Sequence, residues 1–240
     1  MAFEPTDNRQ PLTTMTPKML TRFELESAPR PTASVIMLHG LGASGHDLAG
    51  VVPELNLQGC QPLRFVFPHA PSMPVTVNGG YVMPAWYDIT GLDLVSAQDV
   101  QGIQQSELAI AALVANEIKR GIASDHIVLA GFSQGAAMSL HTGLRLPFPI
   151  AGVIALSGYL PLADRFARER APANAITPIF MGHGLHDTVV VPQRGEQSRD
   201  TLRGLGYSVE WHSYEAEHSI VPQELDDISA FLRQLLPEGL

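Results

Sequence analysis

Seven strand-length apolar runs, several of them nearly unbroken, recur along the chain, most of them separated by longer stretches of helical periodicity. They are MLTRFELES (19–27), ASVIMLHG (33–40), LRFVFP (63–68), HIVLAGFS (126–133), IAGVIALSG (150–158), PIFMGHG (178–184) and YSVEWHSY (207–214). A strand with one wet face alternates apolar and polar residues. Runs such as VIML and IVLA do not alternate, so both of their faces must be covered. Helical patterns fall at 46–56, 97–120, 134–146, 193–205 and 222–236; in the second, Ile103, Leu108, Ala111, Ala112, Ala115 and Ile118 recur at helical spacing. Strands alternating with helices predict an α/β protein, with a mostly parallel central sheet, helices on both faces and right-handed crossovers. Chemistry in such sheets gathers at the carboxyl ends of the strands. The long irregular stretches 69–95 and 157–176 are then the loops expected to shape a pocket there.

With 240 residues and 45% hydrophobic content, one sizeable core is affordable. Residues 19–240 are expected to form a single domain, preceded by a flexible arm in the polar, proline-bearing segment 1–18. The net charge of −9 without a Lys/Arg cluster argues against nucleic acid as a partner and against docking on anionic membranes. No run has the length of a membrane span or signal peptide, so a cytoplasmic location without stable membrane insertion is expected. The single cysteine, Cys60, excludes an internal disulfide and reads as a buried small hydrophobe. Nine histidines are present, but none forms an H-E-x-x-H pair, and no metal site is expected.

The run at 126–133 ends in Gly131-Phe132-Ser133-Gln134-Gly135, directly ahead of a helical pattern. G-x-S-x-G between strand and helix is a nucleophile elbow. Its turn is so sharp that side chains at the flanking positions would strike backbone, and the serine is pushed clear of the sheet. A serine hydroxyl needs a histidine to take its proton and a carboxylate to hold that histidine, here in the chain order Ser, Asp, His. Asp187 follows the run PIFMGHG and precedes a helix, whereas Asp164 and Asp200 sit in a loop and within a helical pattern. His218 follows the last run in a loop before a proline-started helix, and His212 lies within that run as a strand side chain. Ser133, Asp187 and His218 are therefore the expected catalytic residues. An oxyanion hole needs two backbone N–H groups: Gln134 supplies one, and Leu41, in the glycine-rich turn His39-Gly40-Leu41-Gly42, the other. That turn lacks the acidic partner of a dinucleotide fingerprint.

The segments LHGLGASGHDL, FPHAPSMPVTVNGGYVMPAWYDI, GFSQGAAMSL, LSGYLP and GHGLHDTVV, with the final histidine segment, span roughly residues 30 to 235. Together they resemble the carboxylesterase/acyl-protein thioesterase family, also called phospholipase/carboxylesterase, of the α/β-hydrolases. The resemblance implies the α/β-hydrolase fold and hydrolysis of esters or thioesters with no metal or organic cofactor. It maps the catalytic roles onto the same Ser133, Asp187 and His218, and the oxyanion donors onto Leu41 and Gln134. It also implies Met83 and Trp86, in the MPAWYD segment, as substrate contacts. The chain departs from the family at Ala43-Ser44, where Asp-Thr is usual, and at Glu217 beside the base, where a small or apolar residue is usual. A carboxylate there favours the imidazolium. The first expectation is a serine carboxylesterase acting on a small-molecule or acylated substrate. The alternatives are an acyl-protein thioesterase or lysophospholipase for long acyl chains, or a non-catalytic binding protein of the same fold. Apolar residues of the 69–95 loop leave room for a homodimer.

Overall fold

A computed structural model describes residues 19–91 and 98–238. The expected N-terminal arm and the first residue of the 97–120 pattern lie outside the described residues. Nine strands are described: β1 (Arg22–Glu26), β2 (Ala33–Leu38), β3 (Leu63–Pro68), β4 (Ser72–Val75), β5 (Tyr81–Pro84), β6 (Ile127–Phe132), β7 (Gly152–Leu156), β8 (Ile179–Gly184) and β9 (Val209–Tyr214). Seven form the central sheet in the order β1-β3-β2-β6-β7-β8-β9. Only the edge strand β1 runs antiparallel, pairing with β3 from Arg22↔Pro68 to Glu26↔Arg64. The other pairings in that sheet are parallel.

Side-chain parity explains the apolar runs. Along β2, Ala33, Val35 and Met37 join one core cluster while Ile36 and Leu38 join the other. Along β6, Val128 and Ala130 fall on the first side, and Ile127 and Leu129 on the second. Successive side chains of a strand point to opposite faces, so a continuous apolar run becomes two apolar surfaces. Three helices, α2 (Val100–Lys119), α3 (Gln134–Gly143) and α5 (Pro192–Gly204), cover one surface through Ile103, Ile110, Ala136 and Leu202. On the other, α1 (Gly45–Ala49) and α6 (Pro222–Leu235) bury Leu48, Ile228 and Phe231. Each large side chain so buried contributes about 1.5–3 kcal/mol.

Strand β2 lies between β3, which follows it in sequence, and β6. The connections leaving β2 and β6 therefore diverge to opposite sides. A crevice opens above their carboxyl ends, the place where ligands bind in open α/β sheets.

Four features differ from the expectations. The 46–56 pattern is broken into the short α1 and a 3₁₀ turn at Val52–Glu54, with Gly50 and Pro53 at the break. The described part of the 69–95 stretch contains the hairpin β4–β5, which pairs only with itself. The 157–176 stretch contains α4 (Ala163–Glu169), anchored by buried Phe166. Cys60 is half-buried rather than buried and packs against the α6-side cluster.

Candidate active site

Ser133 sits at φ 57° and ψ −118°, in the positive-φ region that side chains avoid. Its N–H donates to the Leu156 carbonyl at 2.8 Å, which ties the turn to β7. The flanking glycines are sterically required. A Cβ on Gly131 would lie 2.3 Å from the Gly135 carbonyl, and one on Gly135 would lie 2.0 Å from the Leu38 carbonyl oxygen. The elbow thus wedges the start of α3 against the end of β2 and lifts the serine hydroxyl into the crevice.

Ser133 Oγ lies 2.9 Å from His218 Nε2, and His218 Nδ1 lies 2.6 Å from Asp187 Oδ2. The second carboxylate oxygen of Asp187 accepts the N–H groups of Val189 and Val190, both at 2.8 Å. With those amides on one oxygen and the imidazole on the other, the carboxylate has little freedom to turn. His218 packs against the Phe132 ring at 4.7 Å. Its loop is pressed onto the end of β8, where a Cβ on Gly184 would lie 2.3 Å from the Glu217 carbonyl oxygen. Glu217 itself is exposed; its main chain, not its carboxylate, takes part in this packing. His212 lies on β9, 2.8 Å from Glu210, away from the serine. Asp164 and Asp200 fall on α4 and α5.

The turn after β2 passes directly over the nucleophile, with the Cβ position of Gly40 3.3 Å from Ser133 Cβ. Leu41 follows it, and Gln134 begins α3, where helix amides have no intrahelical acceptor. Among the described residues, neither N–H donates to a backbone carbonyl outside the regular elements. The turn is held from below by buried His39. Its Nδ1–H donates to the Gly40 carbonyl at 2.7 Å, and its Nε2 accepts the Ala70 N–H at 3.0 Å. Burial pushes this imidazole below the usual histidine range, which keeps Nε2 free to accept.

A cavity of about 500 Å³ adjoins Ser133 and His218, walled largely by Leu41, Leu48, Val51, Phe132, Val189 and Ile220. Met83 and Trp86, expected as substrate contacts, are not brought into its wall. Trp86 is fully buried because its polar groups are all engaged in bracing. The indole N–H donates to the His39 carbonyl at 2.8 Å, its backbone N–H to Gln134 Oε1 at 2.8 Å, and its carbonyl accepts the Ser106 hydroxyl. Gln134 Nε2 in turn donates to the Tyr87 carbonyl at 2.8 Å. Met83 is half-buried on the hairpin, its sulfur 3.4 Å from Asn78 Nδ2 and close to Gly42. Residues 84–87 therefore link the start of α3 to the turn after β2, since Gly42 N–H also bonds the Pro84 carbonyl at 2.8 Å. The side chain of Gln134 has a bracing role that the sequence reading, which used only its amide, did not assign.

The profile of the phospholipase/carboxylesterase family matches residues 23–236. The chain belongs to that family. Among the α/β-hydrolases in this family, an acyl-protein thioesterase 1 of Gibberella zeae is 43% identical over 220 residues, covering 88% of this chain and 94% of the relative. The crystal structure of Arabidopsis thaliana SOBER1 is 28% identical, with a TM-score of 0.79 over 85% of this chain and 98% of that one. That of Zea mays acyl-protein thioesterase 2 is 29% identical, with a TM-score of 0.77 over 89% and 98%. Like its family, the protein has the α/β-hydrolase fold and is a hydrolase of the ester and thioester class. No helix among the described residues is long and apolar enough to cross a membrane.

Proposed function

We propose that this family member hydrolyses acyl thioesters and esters of long-chain substrates through an acyl-enzyme formed on Ser133. The observation that carries the reading is the continuous relay from Ser133 Oγ through His218 to Asp187, at 2.9 and 2.6 Å, opening on an apolar cavity. Ser133 attacks the acyl carbonyl as His218 Nε2 takes its proton. Asp187 holds the Nδ1–H tautomer and stabilises the imidazolium. The tetrahedral oxyanion is met by the Leu41 and Gln134 amides, each such donor being worth about 10²–10³ in kcat. His218 then protonates the departing thiol or alcohol, and a water activated by the same imidazole releases the acid.

A general carboxylesterase is the first expectation from the sequence. The 43%-identical relative named as an acyl-protein thioesterase favours the thioester reading, and so does the apolar wall of the cavity. The test is kcat/KM over matched oxyester and thioester series from acetyl to palmitoyl, with Ser133→Ala as control. Efficiency should rise toward long chains, with thioesters ahead of esters, and Ser133→Ala should lower kcat by several orders of magnitude. A maximum at acetyl or butyryl oxyesters would return the assignment to a general carboxylesterase. Wild-type-like turnover by Ser133→Ala would overturn the nucleophile itself.

A further inference from the structure

The relay uses three side chains, yet a fourth buried one closes on the same carboxylate. His183 is the penultimate residue of β8 and is 2% exposed. Its Nε2 lies 2.7 Å from the Val190 carbonyl oxygen. A carbonyl only accepts, so Nε2 carries the proton and the neutral tautomer is fixed. The same Nε2 stands 3.5 Å from Asp187 Oδ2, the oxygen that meets His218. Val190 is thereby held on both sides of its Cα: its N–H bonds Asp187 Oδ1 at 2.8 Å, and its carbonyl accepts from His183.

The imidazole is closely packed on two sides. The ring stacks on Trp211 at 6.1 Å between centroids. On the α5 side, a Cβ on Gly195 would lie 2.5 Å from His183 Nδ1, so a glycine is needed for the helix to close over it. Burial pushes the imidazole below its usual range, so it meets Asp187 as a neutral donor rather than as a competing cation.

We propose that His183 is a positioning residue for acyl transfer: through the Val190 carbonyl and the edge of Asp187 Oδ2, it sets the rotation of the carboxylate that holds His218. This rests on the Ser133–His218–Asp187 assignment above. Without the His183 donor, the buried Val190 carbonyl loses its partner, and the 187–190 turn keeps its tie to β8 only at its start, through the Asp187 N–H to the Gly184 carbonyl. Asp187 then turns away from His218 Nδ1. A misplacement near 1 Å in such a site lowers turnover about 10²-fold.

The test compares His183→Phe, which keeps a ring for Trp211 but has no donor, with His183→Gln, whose amide can reach Val190. The readouts are kcat and KM separately, together with the low-field proton resonance of His218 Nδ1–H. His183→Phe should lower kcat about 10²-fold with KM within about threefold, and shift or broaden that resonance. His183→Gln should recover at least tenfold of the loss. A folded His183→Phe with wild-type kcat and an unmoved resonance overturns the proposal. If His183→Phe does not fold, the wild-type enzyme decides by pH titration of its ¹⁵N-labelled histidines. Ring signals of His183 that keep the Nε2–H tautomer and follow the titration of His218 support the coupling; signals indifferent to it overturn it. Ser133→Ala separates the two failures. If Ser133→Ala is active, the triad assignment falls; if it is inactive while His183→Phe is unimpaired, only the role of His183 falls.

Discussion

Replacing Gly135 with alanine places a Cβ 2.0 Å from the Leu38 carbonyl oxygen, 2.5 Å from its carbon and 2.7 Å from the His39 carbonyl oxygen. All three are main-chain atoms, so no side chain can swing aside. Restoring ordinary contact near 3.4 Å requires the start of α3 to move about 1.4 Å from the end of β2. Forced overpacking of this kind costs about 1–3 kcal/mol, or roughly 3–10 °C in Tm for a chain of this size. The catalytic cost should be larger. Gln134 moves with α3 while Leu41 stays with the turn after β2, so the two proposed oxyanion donors no longer converge on one oxygen. Losing one such donor costs about 2.7–4 kcal/mol of transition-state stabilisation. The expected result for Gly135→Ala is a folded protein whose kcat/KM falls about 100- to 1000-fold on p-nitrophenyl butyrate, followed by continuous absorbance. Gly204→Ala is the matched control. Its Cβ meets nothing within 4 Å near the end of α5, so it should keep full activity and gain about 0.5–1 kcal/mol. A Gly135→Ala enzyme within threefold of wild type would refute the argument that the elbow sets the oxyanion geometry.

Two further outcomes follow from buried polar groups. Burial at the first turn of α6, with Asp227 adding in the same sense, pushes the Glu224 carboxyl from 4.5 up to about 8. The folded protein then holds a proton that the unfolded chain has released; this stabilisation is complete below pH 4.5 and is lost as pH rises through 8. Glu224→Gln, which cannot ionise, should match wild type in Tm at low pH and exceed it by several degrees at pH 9; parallel melting curves at pH 9 would refute the assignment. Gln134→Leu removes the partners of the buried Trp86 N–H and Tyr87 carbonyl, each worth about 1–3 kcal/mol when orphaned. Urea unfolding should show a loss of about 2–5 kcal/mol, and a change below about 0.5 kcal/mol would show that residues 84–87 are not braced by this side chain.

Much of this protein is legible in the chain because its main determinants are local or periodic. The five inner strands of the central sheet coincide with nearly continuous apolar runs, since burial on two faces leaves no room for polar alternation, and the edge strands β1 and β9 coincide with runs that carry charged residues. The elbow is legible because its glycines exclude side chains within five residues of one another. Chain order then singles out Asp187 and His218, the two side chains hydrogen-bonded in a row to Ser133, as each of the three follows a strand end. The short elements escaped for the complementary reason. The hairpin β4–β5 strands and α4 are too short, and in the hairpin too rich in proline and glycine, to establish a period.

What sequence alone could not decide is which side of a wall a residue occupies. Trp86 and Met83 lie in the segment that reads as substrate-facing, yet Trp86 is turned beneath the turn after β2 and engaged with His39, Gln134 and Ser106. Ser106 is 20 residues away, Gln134 48 and His39 47, so no local pattern records that they meet. His183 is the same case: its ring is a strand residue by sequence and an anchor for Asp187 only once α5 has closed over it. The chain by itself determined the sheet, the elbow and the order in which Ser133, Asp187 and His218 follow strand ends, because these follow from short-range sterics and from the period of burial. Only the tertiary structure decided the bracing around them. A buried polar group must find a partner, and that partner is whichever group packing brings within hydrogen-bond reach, at any separation along the chain.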